Sequence, residues 1–270
     1  MGSLPLILSA ILVLLTASAL AQNNVLLTGQ TLSPDHSQIS YGGVIFVMQD
    51  DCNLVLYNQV GGFTSGTHRR GVNCTLSFTD NGRLIIRRPD GSTVWMTDNS
   101  NSPNGKYAAV LRPDGWVAIY GPEVWSAPPS EQKLTSTKVP PSLRRNIPLV
   151  ENLLFSGQIL KDNDKLTAGD YNLDMFNCNL ALSKGGYGTI WQTGTSGKGK
   201  YCFLRLNHRG KITIKDDDDT TVYASSPYSD EGGYVLVVQA NGQAAIYGPV
   251  AWSTASDGVK DGEITMVTVE

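Results

Sequence analysis

The 270-residue sequence has no basic block, and it contains only three histidines and four cysteines. Lys and Arg number 21 against 24 Asp and Glu, and the formal net charge is −3, which argues against nucleic acid as a partner. The three histidines, His36, His68 and His208, are far apart, so no Ser/His/Asp or Cys/His arrangement is indicated. After the N-terminal segment there is no sustained helical periodicity and no apolar run long enough to span a bilayer.

Cysteine is also scarce, and the four cysteines fall into two similarly spaced pairs. Cys52 and Cys74 are 22 positions apart, and Cys178 and Cys202 are 24 apart. This spacing favours the bridges Cys52–Cys74 and Cys178–Cys202, although four cysteines allow three pairings and spacing alone does not select one. A zinc site is the weaker alternative, because no Cys-x-x-Cys motif occurs.

The N-terminus reads MGSLPLILSAILVLLTASALA and ends in the small-x-small triplet Ala19-Leu20-Ala21. This pattern predicts a secretory signal peptide over residues 1–21, although its first residues carry no Lys or Arg. An uncleaved membrane anchor is the alternative. Entry into the secretory pathway would place the protein outside the cell or in the vacuole, where disulfide bonds persist.

The remainder of the sequence is a duplication. NVLLTGQTL, from residue 24, matches NLLFSGQIL, from residue 152, and YGPEVWSA matches YGPVAWST near the end of each copy. These matches predict two domains, at 24–129 and 150–255. The segment 130–149 is rich in Pro, Ser and charge, which is typical of an exposed linker.

Two segments outside the domains are candidates for processing. Arg144 and Arg145 in the linker form either a processing site or two ordinary solvated arginines. The tail, residues 256–270, is either a removed propeptide or a disordered end.

Each half alternates apolar and polar residues in short runs bounded by Gly, Asn and Asp, as in TLSFTDNGRLIIRRPDG and YVLVVQANGQAAIYG. Such runs are typical of short antiparallel strands joined by tight turns. The sequence therefore predicts an all-β fold with a threefold arrangement of similar sheets in each half. One aromatic recurs in each repeat, and we expect each half's three to meet in a shared core. These aromatics are Phe63, Trp95 and Trp125, then Trp191, Tyr223 and Trp252.

One stretch of the first repeat, QDDCNLVLY at 49–57, resembles the Gln-x-Asp-x-Asn-x-Val-x-Tyr motif of the monocot mannose-binding (snowdrop-type, bulb-type) lectins. The cysteine positions, the aromatic spacing and the YGP…WS ending are similar as well. The resemblance covers 24–127 and 152–254 and is greatest to the two-domain lectins of aroid tubers. It implies two tandem type II β-prisms, each of three four-stranded antiparallel sheets. It also implies up to three sugar pockets per domain and exchange of the last strand between domains.

The first repeat fills every position of the motif, with Gln49, Asp51, Asn53, Val55 and Tyr57. Alternate residues of a strand share a face, so we expect these five to form one row along a single strand. The resemblance implies that Asp51 and Asn53 bind the axial 2-hydroxyl of mannose, Gln49 the 3-hydroxyl and Tyr57 the 4-hydroxyl, with Val55 against the ring carbons. A site built around the axial hydroxyl would reject a sugar that lacks it.

The other five repeats are less complete. The last repeat of the second half, with Gln239, Asn241, Gln243, Ala245 and Tyr247, is the one candidate for a second, weaker site. The remaining four are expected to serve as scaffold, and their matching positions are Phe78, Asp80, Gly82, Leu84 and Ile86; Arg112, Asp114, Trp116, Ala118 and Tyr120; Met175, Asn177, Asn179, Ala181 and Ser183; and Leu206, His208, Gly210, Ile212 and Ile214.

The resemblance therefore implies a non-catalytic lectin that recognises terminal mannose of glycans or glycoproteins, in plant defence or storage, without cofactor or metal. The alternative is a storage or protein-interaction protein whose sugar binding is lost or residual. With one complete site per chain, useful binding requires several chains on one glycan. We therefore expect a homo- or hetero-oligomer in which domains 1 and 2 associate.

Overall fold

The computed structural model describes residues 24–128, the first half, and 151–255, the second half, apart from residues 36, 60, 100, 101, 227 and 228. These residues form 24 strands and no helix, and hence no helix that could cross a membrane. The all-β prediction is confirmed. The predicted signal peptide, linker and tail lie outside the described residues, and the domain boundaries remain predictions.

The strands are short in both halves. Those of the first half are β1 (Val25–Leu27), β2 (Thr31–Leu32), β3 (Gln38–Tyr41), β4 (Val44–Met48), β5 (Leu54–Tyr57), β6 (Phe63–Thr64), β7 (Thr75–Phe78), β8 (Leu84–Arg87), β9 (Thr93–Met96), β10 (Ala108–Leu111), β11 (Val117–Tyr120) and β12 (Glu123–Ala127). Those of the second half are β13 (Leu153–Phe155), β14 (Ile159–Lys161), β15 (Lys165–Ala168), β16 (Tyr171–Phe176), β17 (Asn179–Lys184), β18 (Gly188–Gln192), β19 (Phe203–Leu206), β20 (Ile212–Lys215), β21 (Thr221–Ala224), β22 (Val235–Val238), β23 (Ala244–Tyr247) and β24 (Val250–Ser253).

The strands form six four-stranded antiparallel sheets, which confirms the β-prism architecture. Four sheets take all their strands from one half: β3-β4-β5-β6, β2-β7-β8-β9, β15-β16-β17-β18 and β14-β19-β20-β21. The other two, β1-β10-β11-β24 and β12-β23-β22-β13, combine strands of both halves. In these mixed sheets the last strand of each half pairs with the other half, with Trp252 opposite Ile119 and Trp125 opposite Ile246.

Each half encloses one hydrophobic core built from the inner faces of its sheets. Strand β5 illustrates the alternation that produces it, because Leu54 and Leu56 are buried while Tyr57 is exposed. Both predicted disulfides, Cys52–Cys74 and Cys178–Cys202, are confirmed. Each bridge ties the β-turn of a first-repeat hairpin to the strand that follows in the next sheet.

The aromatic cores differ from the prediction in one residue each. The first core contains Phe63, Trp95 and Trp252, with ring centroids 5.8 to 6.3 Å apart. Trp125 instead packs edge-on against Trp191 in the second core, at 5.6 Å. The prediction that each half supplies its own three aromatics is therefore wrong, because the last strands, which carry these two tryptophans, pair across the halves.

A third apolar cluster joins the two halves. It consists of outer-face residues of the two mixed sheets, and the rings of Tyr120 and Phe155 meet within it at 6.3 Å. These outer faces are consequently covered, whereas an isolated prism would expose them. The cluster comprises Val25, Ala108, Val110, Ala118, Tyr120, Leu153, Phe155, Val235, Val237, Ala245 and Tyr247.

Candidate carbohydrate-binding site

The five motif residues of the first repeat lie at one hairpin, although not along one strand. Only Val55 and Tyr57 belong to β5, while Gln49, Asp51 and Asn53 lie in the connection from β4. The expected single-strand row is therefore wrong for the first three residues. The chain turns here, since the backbone N–H of Cys52 donates to the backbone carbonyl of Gln49 at 3.1 Å. The backbone N–H of Gln49 in turn donates to the backbone carbonyl of Asn53 at 2.9 Å.

This turn has a sequence cause. The Asp51 carboxylate accepts the backbone N–H of Asn53 at 3.0 Å, a local bond that favours turns over strands. Cys52 then has a left-handed backbone with φ of 69°, a conformation that glycine adopts most readily. Gly82 and Gly115 take this position in the next two repeats of the half. The alignment of Gly82 with Asn53 is therefore wrong by one residue, because Phe78 pairs with Leu84 as Met48 pairs with Leu54. The same correction applies to the repeat of Leu206, which pairs with Ile212. In the first repeat Cys52 has this left-handed conformation while it is bridged to Cys74.

The side chain of Asn53 is held by the loop that follows β6. Its Oδ1 accepts the hydroxyl of Thr64 at 3.0 Å, the hydroxyl of Ser65 at 3.3 Å and the backbone N–H of Thr67 at 3.2 Å. These donors settle which amide atom is the oxygen. The Nδ2 donor consequently points away from the loop and is available to an acceptor on a ligand.

Gln49 and Tyr57, at the two ends of the motif, are brought together by the hairpin. Gln49 Nε2 donates to the Tyr57 hydroxyl at 2.7 Å, and 51% of Tyr57 is exposed. Val55 lies between them on the same face, and a shallow depression is lined by Val55, Tyr57, Phe63 and Thr64, among others. The fold therefore gathers donors, acceptors and an apolar surface at one solvent-accessible place.

The loop residues Thr64, Ser65 and Thr67 were not identified from the sequence. A signal for them exists, because the second half repeats the arrangement around Asn179. Its Oδ1 accepts the hydroxyl of Thr193 and the backbone N–H of Thr195, each at 3.1 Å. A comparison of TSGT at 64–67 with TGT at 193–195 would have indicated a shared role.

The second candidate site reproduces part of this geometry but is buried. Gln239 Nε2 donates to the Tyr247 hydroxyl at 2.8 Å, and the backbone N–H of Gln243 donates to Asn241 Oδ1 at 3.0 Å. Tyr247 is only 2% exposed and Gln239 only 6%. Burial, with a smaller contribution from a nearby carboxylate, raises the pKa of the Tyr247 phenol well above its ordinary value. The packing thus covers Gln239 and Tyr247, the two ends of the row, while Asn241 at the turn remains exposed.

The first repeat of the second half needs a different alignment. Met175 pairs with Leu180, whereas Met48 pairs with the corresponding Leu54 in the first half. Met175 therefore corresponds to Met48, and the exposed Phe176 stands near the place of Gln49. Counting along the sequence misplaced Met175, because this hairpin has a two-residue turn with φ above zero at both residues, one residue shorter than its counterpart.

The described residues were also compared with the geometry that a bound metal ion requires. Within the described parts of residues 24–128 and 151–255, no three His, Cys, Asp or Glu side chains are close enough to hold a metal ion. The polar groups at the Gln49–Tyr57 hairpin are those that a hydroxyl-rich ligand requires.

Comparison with known proteins agrees with this geometry, although no family model matches the chain. Mannose-specific lectin 2 of Crocus vernus is 50% identical over 260 residues, covering 93% of this chain and 96% of that lectin. Mannose-specific lectin 2 of Colocasia esculenta is 48% identical over 253 residues, covering 93% of each. The chain belongs to this lectin family.

A solved structure supports the two-domain architecture of this lectin. The fetuin-binding Scilla campanulata agglutinin, described as a two-domain lectin, superposes with a TM-score of 0.73 at 26% identity. The match covers 86% of this chain and 99% of that one. The family resemblance and the fold predicted from the sequence are therefore both confirmed.

Proposed function

We propose that this lectin binds the terminal mannose of glycans, without catalysis, through Gln49, Asp51, Asn53, Val55 and Tyr57. The observation that carries the proposal is the fixed orientation of Asn53. Its Oδ1 is occupied by donors from the loop, so its Nδ2 is directed away from them, and the Asp51 carboxylate accepts the backbone N–H of the same residue. The names of the relatives, which are mannose-specific lectins, support the same choice of sugar.

The chemistry of the site suits a pyranose, whose hydroxyls are both donors and acceptors. Asp51 would accept a hydrogen bond from the axial 2-hydroxyl and Asn53 Nδ2 would donate one to the same oxygen, and hydrogen bonds to an ionised group are the stronger ones. Gln49 and Tyr57 would bond the 3- and 4-hydroxyls, while Val55 would contact ring carbons. Such a shallow site predicts monosaccharide binding near the millimolar range, about −4 kcal/mol.

Retention on mannan-agarose tests this function. We expect the protein to bind and to elute with methyl α-mannoside. Asp51→Asn should abolish retention, whereas Asp80→Asn, in the corresponding turn of the second repeat, should leave it unchanged. Flow-through of the native protein would contradict mannose binding and favour the alternative of a storage or interaction protein, to which the five incomplete repeats would be better suited.

We further propose that the protein acts as a homo- or hetero-oligomer. One accessible site per chain gives weak binding, and linking several sites raises avidity without new contacts. Cross-pairing of β12 and β24 would keep the two halves associated if the linker were cut. Sedimentation of the native protein at micromolar concentration is the test, and a 29.1 kDa monomer would contradict the proposal.

The place of action is proposed from the same features. An N-terminal signal peptide and two disulfides suit an extracellular or vacuolar protein, and a role in defence or storage accords with that location. Sequencing the N-terminus of the protein purified from its source is the test. A chain that still begins at Met1 would contradict entry by a cleaved signal peptide.

A further inference from the structure

A short motif beside the candidate site has no role in the chemistry described so far. Asn73-Cys74-Thr75 matches Asn-x-Ser/Thr, the acceptor pattern for N-linked glycans in proteins that enter the secretory pathway. No other asparagine in the 270 residues is followed two positions later by Ser or Thr. A motif of three residues is weak evidence alone, so the structure around Asn73 decides whether the folded protein has room for a glycan.

Asn73 lies in the loop between β6 and β7, and it is exposed. Its neighbour Val72 is 68% exposed, so this part of the loop projects into solvent. The backbone N–H of Asn73 donates to the carbonyl of Asp50 at 3.2 Å. The loop is therefore fixed through its backbone, and a group attached to the Asn73 side chain would displace nothing from the core.

The side chain of Asn73 is not used by the fold. Among the residues that the structure describes, no hydrogen bond or ion pair reaches it. Other asparagines of this half do hold structure together, since Asn58 Nδ2 donates to the carbonyl of Gly115 at 2.8 Å and Asn53 Oδ1 accepts the hydroxyl of Thr64 at 3.0 Å. The Nδ2 of Asn73, the atom to which a glycan is attached, is consequently available.

The backbone conformation gives a simpler reason for an asparagine here, but it does not explain the whole motif. Asn73 has a left-handed backbone with φ of 55°, which asparagine adopts more readily than most residues. The residue before the matching cysteine of the second half is Tyr201, with φ of 50°, so this conformation accepts another residue type. The conformation also leaves Thr75 unexplained, since its hydroxyl has no hydrogen-bonding partner in the described parts of the chain.

The folded motif would be a poor substrate for glycan transfer, which fixes the order of events. Cys74 is fully buried and bridged to Cys52, and Thr75 is paired with Arg87 in the β7–β8 ladder. An enzyme that must reach both the Asn73 amide and the Thr75 hydroxyl needs this segment unpaired. The modification therefore has to precede the pairing of β7 and the closure of the Cys52–Cys74 bridge.

We propose that Asn73 is a glycosylation site and carries an N-linked glycan. The inference rests on the proposed entry into the secretory pathway, where the donor is an oligosaccharide linked to a lipid through diphosphate. The Asn73 Nδ2 loses one proton and forms a bond to C1 of the first sugar. The bond between that C1 and the diphosphate oxygen breaks, and the lipid diphosphate leaves with the electron pair.

The glycan stands beside the candidate mannose site. The backbone N–H of Asn73 donates to the carbonyl of Asp50, and that of Arg69 donates to the carbonyl of Asp51 at 3.1 Å. The loop that carries Asn73 is thus attached to the turn that carries Asp51. The second half has no such motif, because Tyr201 and Phe203 flank its Cys202, so the glycan is a feature of the first half alone.

Peptide mapping of the protein purified from its source tests the proposal. After reduction and unfolding, an amidase that releases N-linked glycans converts the modified asparagine to aspartate, and in heavy-oxygen water the new carboxylate is labelled. We expect the label at Asn73. Asn177 is the internal control, because it is also exposed, has φ of 49° and precedes the bridged Cys178, but Asn179 stands where the motif requires Ser or Thr. It should carry no label.

Variants of the full chain, expressed in a eukaryotic secretory host, test the role of each motif residue. Thr75→Ser preserves the motif and should keep the glycan, whereas Thr75→Ala and Asn73→Gln should lose it completely, as measured by intact mass before and after the amidase. Carbohydrate that persists in both Thr75→Ala and Asn73→Gln would overturn the site. The mapping of the native protein needs no variant, so a failure of either to fold does not affect it.

The outcomes separate this site from the proposals on which it rests. An unlabelled Asn73 in a chain that has lost its N-terminal segment would overturn glycosylation and leave the secretory location standing. An unlabelled Asn73 in a chain that begins at Met1 would overturn both. Retention on mannan tests the Gln49–Tyr57 site by itself, so mannose binding and glycosylation can each fail alone.

Discussion

The indole ring of Trp252 packs edge-on against the phenyl ring of Phe63, with 5.8 Å between the ring centroids. Phe63 begins β6 near the Gln49–Tyr57 hairpin, and Trp252 lies on β24 at the opposite end of the described chain. Because aromatic pairs contribute beyond the area they bury, the core beneath this candidate site depends on a strand encoded with the second half.

This dependence predicts that Trp252→Ala destabilises the first half. Removing a large core aromatic costs about 3 kcal/mol or more. In hydrogen exchange measured by mass spectrometry, amides of β3–β9 should lose protection, while those of β15–β21 should keep it. Trp125→Ala is the matched control and should give the reverse pattern. Protection lost in the same half that carries the substitution would contradict the cross-pairing.

The sequence was sufficient for much of this fold. Alternating residues, turn signals and two cysteine pairs predicted short strands, six similar sheets and both disulfides. The partner of each last strand could not be predicted from local pattern, because Trp125 and Trp252 follow nearly identical YGP segments.

The residue types of the candidate site could be predicted from the sequence, but the path of the backbone through it could not. All five motif residues lie at one hairpin, yet the alternation of residues alone placed Gln49 and Asp51 on a strand. The local bond from Asp51 to the amide of Asn53 overrides that alternation. Burial of Gln239 and Tyr247 was also beyond sequence reasoning, because it arises from contact between sheets distant in the chain.

The loop that orients Asn53 should matter for mannose affinity. Thr64→Ala removes one donor to Asn53 Oδ1, and a lost hydrogen bond costs about 1 kcal/mol. We expect methyl α-mannoside, measured by calorimetry, to bind about fivefold more weakly. Thr193→Ala, which removes a hydroxyl donor to the corresponding Asn179, should leave affinity unchanged. Equal effects of both substitutions would show that the loop acts on stability alone.

The two disulfides should differ in their effect on binding. Replacing Cys52 and Cys74 with Ala should lower the free energy of unfolding by about 3 kcal/mol and weaken mannoside binding, because Cys52 maintains the left-handed turn between Asp51 and Asn53. Replacing Cys178 and Cys202 should cost similar stability with mannoside affinity retained. Chemical unfolding and calorimetry measure the two effects, and equal loss of affinity in both variants would contradict the role of the turn.

The Asp174 carboxylate, on the β15–β18 sheet, should reduce the stability of the folded protein at neutral pH. Burial raises the pKa of Asp174 in the folded protein above its unfolded value, so the folded state binds the proton more tightly. Stability then decreases as pH rises through the interval between the two values and stays lower above it. Lys165 on β15 is the charged group that faces Asp174, and Ser183 on β17 is its hydrogen-bonding partner.

Asp174→Asn keeps the shape of the side chain and an acceptor for Ser183, but it cannot ionise. We therefore expect the variant to unfold with a higher free energy than the native protein at pH 7, and the difference to shrink as pH falls until Asp174 of the native protein is also neutral. Urea unfolding of both proteins across this pH range measures the difference in the free energy of unfolding. Asp218→Asn, on an exposed turn, should show no such pH-dependent difference. If Asp174→Asn lost stability at pH 7, the carboxylate would be stabilising, and its surroundings would not be short of hydrogen-bond donors.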